Sequence, residues 1–468
     1  MKMWSGRFRE PLDHDFEQWQ RSLVFDWQLL PQEVAASKAH ARTIAAAGIL
    51  TPEELNKIVT ALDAIRDEYA KRPPSDIYNT PAEDIHHFVE LELVARIADL
   101  GFKLHTGRSR NEQIATDLRL FVREKCATIA DHLAAWAKAL TGQAHAAGDA
   151  VMPAYTHLQR AEPVLVAHWL QAYGEMLLRD ITRLGDLSRR LNYCPLGSGA
   201  VAGATLKLDR TIAAKELGFA EPTANSMDAT SDRDFALEFL QALTLIGVHA
   251  SRFAEEITLY ATAEFAFVEL PEAFSTGSSA MPQKKNPDLT ELVRAKVARI
   301  NGAAQTLTML LKGLPLAYNK DLQESQEPIF SAADTAERMT ALLGRFTAAL
   351  RFNTERMRSA CGTGFLNAMA AATYLVHKGV PFRKAHEKIG QAVRYGLEKG
   401  CELEGLTLEE LKQFGPEFEA DFFASITLDA TVDCHDVIGG TAKTRVREAL
   451  AAQAQRVTAA MGQKDGNT

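Results

Sequence analysis

The chain has 468 residues and a formal net charge of −8, and 46% of its residues are hydrophobic and 24% are charged. This balance is typical of a globular protein and excludes an intrinsically disordered one. The negative net charge and the absence of a Lys/Arg block argue against nucleic-acid binding, although they leave room for a locally cationic pocket.

No targeting or membrane segment is recognisable. The first twenty residues, MKMWSGRFREPLDHDFEQWQ, lack the apolar stretch of a signal peptide. No apolar run approaches the ~18 residues of a membrane span, so we expect no membrane association. Five scattered cysteines favour free thiols over a disulfide framework or a zinc site. They are Cys126, Cys194, Cys361, Cys401 and Cys434. We therefore expect a cytoplasmic protein.

The hydrophobic periodicity is helical along almost the whole chain. Residues 1 to about 110 contain short helical segments broken by prolines. Long segments with mostly apolar surfaces follow, and a helix that is apolar most of the way round is a buried one. After about residue 360, glycines divide the chain into shorter segments. The predicted long helices cover residues 111–145, 163–191, 232–265, 287–311 and 325–350.

We therefore predict an all-α fold with three helical domains. The N-terminal domain covers residues 1–110, the central bundle of long helices covers 111–360, and the C-terminal domain covers 361–468. Only KLHTGRS (103–109) and residues 267–270 are candidates for short strands. The apolar surfaces of the long helices exceed what one chain can cover, so we also predict that the bundle is the core of a helical oligomer.

The stretch GSSAMPQKKNPD (277–288) places serines and lysines immediately before a predicted helix. Asn is a favoured N-cap and Pro suits the first helical position, so Asn286 and Pro287 are predicted to start that helix. The lysines then lie near a helix N-terminus, which attracts anions. The stretch is either a solvated loop with incidental charge or a site for an anionic substrate.

Three further stretches group polar residues at predicted helix ends. HTGRSRNEQ (105–113) offers Arg donors that suit carboxylates, or it is only a charged helix cap. YTHLQRAEP (155–163) places His157 before a proline-started helix, where it is either a structural residue or a proton-transfer group. LPLAYNKDLQE (314–324) is a polar island between two apolar helices.

The sequence does not match the binding motifs of common cofactors. The glycines of GSGAVAG (197–203) have the wrong spacing for a dinucleotide-binding loop. GGTAKTR (439–445) lacks the spacing of a P-loop, and His386-Glu387 has no second histidine four residues after the first. His86-His87 has no companion at metal-ligand spacing. We expect no metal, nucleotide or covalent cofactor.

Together, GSSAMPQKKN, HTGRSRN, YTHLQRA, SMDATSDRDF and YNKDLQE are similar to the motifs of the argininosuccinate lyase family, within the fumarase/aspartase superfamily. The resemblance runs from MWSGRF near the N-terminus to GGTAKTRV near the C-terminus. It implies cleavage of argininosuccinate to arginine and fumarate by reversible β-elimination, as in arginine biosynthesis, without metal or organic cofactor. It also implies a homotetramer in which each active site is assembled from three subunits.

The resemblance implies roles for individual residues. Ser278 is expected to be the general base, and Lys284 and Asn286 to stabilise the negative charge that develops on the substrate. His157 is expected to be the general acid or else a carboxylate binder, with Glu291 as its partner. The expected substrate-binding residues are Ser22, Asp84, Ser109, Arg110, Asn111, Thr156, Tyr318 and Gln323.

The chain departs from the family at two places. Many members have Asp-Lys where this chain has Ser325 and Gln326, so one end of the substrate loses a charged contact. Glu112 replaces the commoner Asp, a change expected to be minor. The alternatives are a related lyase acting on adenylosuccinate, a crystallin-like relative without activity, and a helical scaffold protein. The catalytic set and the KK pair favour argininosuccinate as the substrate.

Overall fold

The computed structural model describes residues 10–462, and helices dominate it. The sequence MWSGRF lies outside the described residues. The other predicted elements can be compared directly with the structure. The N-terminal helices are short except for two. They are α1 (His14–Trp19), α2 (Leu23–Asp26), α3 (Leu30–Ala46), α4 (Pro52–Tyr69), α5 (Ser75–Tyr78) and α6 (Ile85–Ile97). A 3₁₀ helix, Ala98–His105, leads into the central region.

Five long helices build the central region, as the periodicity predicts. They alternate with three short two-stranded sheets and two short helices. The elements are α7 (Arg110–Ala147), β1 (Val151–Thr156), β2 (Gln159–Leu165), α8 (Val166–Arg190), β3 (Tyr193–Cys194), α9 (Arg210–Glu216), β4 (Glu221–Pro222), α10 (Ser226–Ser231), α11 (Asp234–Tyr260), β5 (Val268–Glu269), α12 (Asp288–Leu311), α13 (Gln326–Ala349) and β6 (Arg351–Phe352).

The C-terminal helices are shorter, except for two. They are α14 (Thr354–Cys361), α15 (Ala368–His377), α16 (Phe382–Lys399), α17 (Leu408–Lys412), α18 (Phe422–Ser425), α19 (Leu428–Asp433) and α20 (Lys443–Gly462). The all-α prediction is confirmed. None of the helices in residues 10–462 combines the length and the hydropathy that crossing a bilayer requires.

The bundle is held together by apolar packing around α7. Trp136 on α7 is fully buried, and its ring meets Phe253 of α11 edge-on at 5.5 Å. Its indole N–H donates to Thr347 Oγ1 of α13 at 2.9 Å, so the buried polar atom is satisfied. Three of the five long helices therefore meet at one side chain.

The last helix returns to the bundle. Val446, Leu450 and Val457 of α20 belong to the main apolar core, and Gln453 Nε2 donates to Gln171 O of α8 at 3.0 Å. Helices α15, α16 and α18 instead surround a second core of their own. The proposed domain boundaries at 110 and 360 stay a prediction, but α20 packs with the central region.

Three local predictions are wrong. Residues 103–109 form no strand, because the 3₁₀ helix runs into a turn at Gly107, whose φ of 73° suits glycine, and Ser109 then caps α7. Pro163 does not start a helix, because it pairs with Pro153 in the β1–β2 hairpin and α8 begins three residues later. Asn286 is not the N-cap of α12, as shown below. The predicted strand at residues 267–270 is confirmed as β5, paired with β6.

Candidate active site

The expected site residues fall into three groups within one chain. The first group lies where the N-terminal helices meet the start of α7 and the 3₁₀ segment Lys320–Ser325. It contains Ser22, Asp84, Ser109, Arg110, Asn111, Tyr318 and Gln323. The second group, Thr156 and His157, is the tip of the β1–β2 hairpin. The third group is the loop before α12, with Ser278, Lys284 and Asn286, followed by Glu291 within that helix.

Asp84 and Arg110 form the centre of the first group. Their side chains make a 2.6 Å ion pair between Oδ1 and Nη1, and both are mostly buried. Asp84 also caps α6 by accepting a 2.7 Å hydrogen bond from His87 N. Burial alone would raise the pKa of Asp84, but Arg110 and the neighbouring histidines lower it below its usual value. The pair is therefore a fixed, ionised donor–acceptor unit.

Ser22 is joined to this pair through Asp26. The Ser22 hydroxyl donates to Asp26 Oδ2 at 2.6 Å, and the other carboxyl oxygen accepts from Ile85 N at 3.0 Å. Burial and the nearby Asp84 carboxylate raise the pKa of Asp26 to about 8. Asp26 is a site residue that the motif analysis missed. The available signal was its position four residues after Ser22, where side chains on one helical face meet.

Tyr318 and Gln323 close the first group. Gln323 Nε2 donates to Gln20 O at 2.9 Å, and Lys320 Nζ contacts Glu83 Oε1 at 3.1 Å. Burial raises the pKa of Tyr318 to about 12, against the opposing charge of Arg233. Arg233 is 1% exposed and was present in the SMDATSDRDF motif without an assigned role. Its buried cation adds to a donor-rich wall next to Tyr318.

The start of α7 uses part of the HTGRSRN motif for capping. The Ser109 hydroxyl accepts from Asn111 N at 3.3 Å, and the Glu112 carboxylate accepts from Ser109 N at 2.9 Å. Glu112 is thus the third helical residue of a capping box, a role that the longer side chain can still perform. The capping interpretation of this motif is therefore confirmed, and the substrate-binding interpretation stays a prediction for the same residues.

The hairpin tip projects away from the bundle. Both His157 and Leu158 have left-handed backbone conformations, with φ values of 55° and 57°, and both side chains are exposed. Arg160 anchors the hairpin by donating to Ala360 O at 3.0 Å and to Thr363 Oγ1 at 2.5 Å. The imidazole is therefore presented on a supported but solvent-facing turn.

The loop before α12 is organised around Ser278. Its hydroxyl oxygen accepts hydrogen bonds from Ala280 N at 3.2 Å and Met281 N at 3.1 Å. Asn286 pairs with Thr276 across the loop, with its N–H donating to Thr276 O at 2.8 Å, and its amide donates to Gly277 O at 3.2 Å. This bridge holds Asn286 away from the N-cap position, which Pro287 occupies instead.

The expected contact between His157 and Glu291 is not made within the described part of one chain. Glu291 is exposed and approaches Arg294 at 3.9 Å rather than His157. Among residues 10–462, the hairpin tip and the Ser278 loop make no hydrogen bond or ion pair with Ser22, Asp84 or Gln323. In the described part of a single chain, hydrogen bonds and ion pairs therefore do not join these groups to one another.

Comparisons with known proteins agree with the geometry. The family model described as Lyase matches residues 6–302, and the model described as Argininosuccinate lyase C-terminal matches residues 365–433. The argininosuccinate lyase of Acidobacterium capsulatum is 68% identical over 97% of this chain and 95% of its own. The argininosuccinate lyase of Koribacter versatilis is 54% identical over 98% of each chain.

Solved structures share the fold. An EDDS lyase in complex with formate superposes with a TM-score of 0.82 at 25% identity, covering 97% of this chain and 92% of the other. The class II fumarase of Schistosoma mansoni gives a TM-score of 0.72 at 16% identity, over 85% of this chain and 91% of the other. At that identity the second likeness concerns the fold alone.

Proposed function

Since the chain belongs to the argininosuccinate lyase family, we propose that it converts argininosuccinate to arginine and fumarate by a reversible β-elimination in arginine biosynthesis. The chain is a lyase, and the reaction breaks one carbon–nitrogen bond. A proton leaves the carbon next to a substrate carboxylate, the electron pair forms the carbon–carbon double bond of fumarate, and the guanidinium nitrogen departs with a proton.

One observation carries the assignment of the base. A serine hydroxyl is a weak base, and it needs stabilisation of its alkoxide form before it can accept a proton from carbon. Ser278 Oγ accepts two backbone N–H bonds, and hydrogen bonds to a charged form favour that form. The neighbouring Ser279 is exposed and has no such contacts among residues 10–462. This contrast supports Ser278 as the base.

Lys284 and Asn286 follow Ser278 on the same loop. Removal of the proton builds a second negative charge on the adjacent carboxylate, which becomes an aci-carboxylate. Lys284 is exposed and can supply a positive charge, while the Asn286 side-chain amide is positioned by its hydrogen bond to Gly277 O. Prepositioned donors of this kind are worth about 2.7–4 kcal/mol each in the transition state. We assign both residues to stabilisation of that charge.

His157 is assigned to protonation of the leaving nitrogen, with Glu291 raising the proton affinity of the imidazole. The two residues lie on different elements and do not meet within one chain. Substrate carboxylates are assigned to the first group, where Arg110, Asn111 and Ser109 offer donors beside Ser22 and Asp84. Thr156, Tyr318 and Gln323 complete the binding set.

The separation of the three groups supports a homotetramer with shared sites. Long side chains on the outer faces of the bundle are exposed, including Leu292 at 55% and Met309 at 65%. Exposed apolar surface on otherwise apolar helices is typical of subunit interfaces. We propose that each active site takes one group from each of three subunits, and that the enzyme acts in the cytoplasm.

The direct test is to follow fumarate by its ultraviolet absorbance after adding argininosuccinate, with adenylosuccinate as the comparison substrate. Fumarate from argininosuccinate alone is the expected result. Fumarate from adenylosuccinate alone would replace the proposed substrate with the related one. Absence of fumarate from both, in a sample shown by light scattering to be tetrameric, would favour an inactive crystallin-like relative.

A further inference from the structure

A second concave site lies on the C-terminal side of the bundle. It is a cavity of about 420 Å³ between α14, the turn after it, the 3₁₀ helix Leu403–Gly405 and the start of α19. None of the residues assigned to the substrate lines it. Its volume lies within the range of about 300–1,000 Å³ that small-molecule sites occupy.

The walls carry three carboxylates and one guanidinium. The Glu402 carboxylate is fixed, because its two oxygens accept from Gly364 N at 2.9 Å and Phe365 N at 2.8 Å. Glu355 and Glu404 also line the cavity, and neither forms a hydrogen bond or an ion pair with any residue from 10 to 462. The cavity therefore has an excess of negative charge.

Arg358 is the one cation among the lining residues. Its nearest acidic partner is Asp429 at 3.9 Å, and that carboxylate is already bound by Lys443 Nζ at 2.8 Å. Most of the guanidinium donors therefore remain available. A guanidinium binds a carboxylate through two parallel hydrogen bonds, which makes Arg358 a suitable contact for an anionic group.

Asn367 provides a buried amide oxygen that lacks a hydrogen-bond donor in the described part of the chain. The residue is 8% exposed, and its Nδ2 donates to Ile426 O at 3.2 Å. Its Oδ1 is buried at the cavity wall and has no hydrogen-bond partner among residues 10–462. Buried polar atoms without a hydrogen-bond partner are rare and reduce the stability of the fold. An N–H donor from a ligand would satisfy this oxygen.

We propose that this cavity binds a cationic α-amino acid. The ligand's carboxylate binds Arg358, and its cationic side chain lies among Glu402, Glu404 and the Asn367 carbonyl oxygen. A simple cation would leave Arg358 unused, and a simple anion would face the three carboxylates. A cationic α-amino acid carries a carboxylate for Arg358 and a side-chain cation for the carboxylates.

The cavity is connected to the hairpin that carries His157. Ser359, Cys361 and Gly362 line it, and Arg160 of the hairpin bonds to Ala360 O and to Thr363 within the same turn. A ligand that fixes this turn also fixes the anchor of the hairpin. Resting on the proposed function, we infer that the amino-acid product, arginine, binds here and changes the rate of the reaction.

Local labelling tests binding without reference to the active site. In a Ser359→Cys variant, the new thiol faces the cavity, and the native exposed Cys434 is an internal reference outside it. We expect saturating L-arginine to slow alkylation of the thiol at position 359 and to leave Cys434 unchanged. Agmatine lacks the carboxylate and citrulline lacks the positive charge on the side chain, so neither should slow alkylation of the thiol at position 359. Equal alkylation rates with and without L-arginine would overturn the proposal.

Two exposed lining residues supply the matched variants. In the Ser359→Cys background, Arg358→Gln and Glu404→Gln should each weaken protection about tenfold, as expected for loss of one charge-assisted contact. Arg338→Gln, which removes an exposed guanidinium on the distant α13, should not. Protection that survives both cavity variants would contradict the assignment. Protection with unaltered fumarate kinetics would refute only the regulatory part, and a protein that makes no fumarate can still be labelled.

Discussion

Glu33 and His86 meet in the interior at 2.7 Å, between Oε2 and Nδ1, and both side chains are 1% exposed. Asp117 Oδ2 lies 3.5 Å from the same ring nitrogen. The three residues come from α3, α6 and α7, so the cluster joins two N-terminal helices to the bundle. His86 lies two residues after Asp84 in the sequence, and its charge interacts with the Asp84 carboxylate of the Asp84–Arg110 pair.

The two carboxyl groups of this cluster should respond differently to mutation. Burial and the nearby Glu33 raise the pKa of Asp117 well above its usual value, which favours the neutral form of its carboxyl group. Burial opposes ionisation of Glu33, but His86 and Arg108 hold its pKa below its usual range. Asp117→Asn replaces a carboxyl group that favours its neutral form with an amide of similar shape. Glu33→Gln instead removes the charge that Arg108 faces.

We expect Glu33→Gln to cost about 3–5 kcal/mol of stability, as for a broken buried ion pair. Asp117→Asn should stay within about 1 kcal/mol of the wild type. Thermal unfolding at pH 7 measures both, with Asp99→Asn, at an exposed position, as a control for carboxyl-to-amide replacement. Equal losses in the two cluster variants would contradict the assigned charges.

Asp26 gives a pH-dependent prediction. Its pKa is raised to about 8 in the folded protein, against about 3.9 in an unfolded chain. A raised pKa means stability that is fully present below the unfolded value and is lost as the pH rises through about 8. Asp26→Asn removes this loss. The melting temperature of the variant, relative to the wild type, should therefore rise as the pH increases from 5 to about 8 and then level off. A constant difference would contradict the raised pKa.

Ser278→Ala should abolish most turnover. General-base catalysis contributes about 10²–10⁴ to the rate, so kcat should fall by that range while the protein still assembles. Ser279→Ala makes the same substitution at the adjacent, exposed serine. It should keep turnover within about threefold of wild type, as a surface substitution does. Steady-state fumarate formation measures both. Near-normal turnover in the Ser278 variant would remove the assigned base.

The shared site predicts recovery of activity in mixed tetramers. Ser278→Ala and His157→Asn remove residues from different groups, which different subunits contribute to each site in the proposed tetramer. When the two variants are unfolded together and reassembled in equal amounts, about a quarter of the sites should receive both intact groups. Activity of each variant reassembled alone is the control. Absence of recovery in tetramers that contain both chains would argue for sites built within one subunit.

Gln326 tests the departure from the family pattern. It is 1% exposed, and its Oε1 has no hydrogen-bond partner in the described part of the chain. If this position contacts a substrate carboxylate, Gln326→Lys replaces a neutral donor with a charged one and should lower KM by about tenfold. Glu327→Lys places the same charge on the adjacent exposed residue and should leave KM unchanged. An unchanged KM in Gln326→Lys would show that the substrate does not reach this position.

The sequence predicts the long helices well, because their apolar period is sustained over many turns. It fails where tertiary contacts decide the local conformation. Asn286 has the chemistry of an N-cap, yet the bridge to Thr276 keeps it in the loop. Pro163 suits a helix start, yet hairpin pairing with Pro153 takes precedence. Both failures lie beside assigned catalytic residues.

The buried polar residues were the least predictable part of the site. Glu33, His86 and Asp117 are far apart in sequence, and charged residues in single helices are normally read as solvent-facing. Asp26 and Arg233 were hidden for the same reason. The motifs located the exposed loops to which we assign the chemistry. The buried polar residues behind them became visible only through their contacts in the structure.

The return of α20 to the bundle has a consequence for synthesis on the ribosome. The groove of α7 and α8 that receives Val446, Leu450 and Val457 is apolar, and it stays open until the last helix has emerged. Domains generally begin to fold during translation, so a nascent chain carries this open groove through most of its synthesis. A chain released early would keep it, which gives chaperones and proteases a surface by which to distinguish incomplete chains from finished ones.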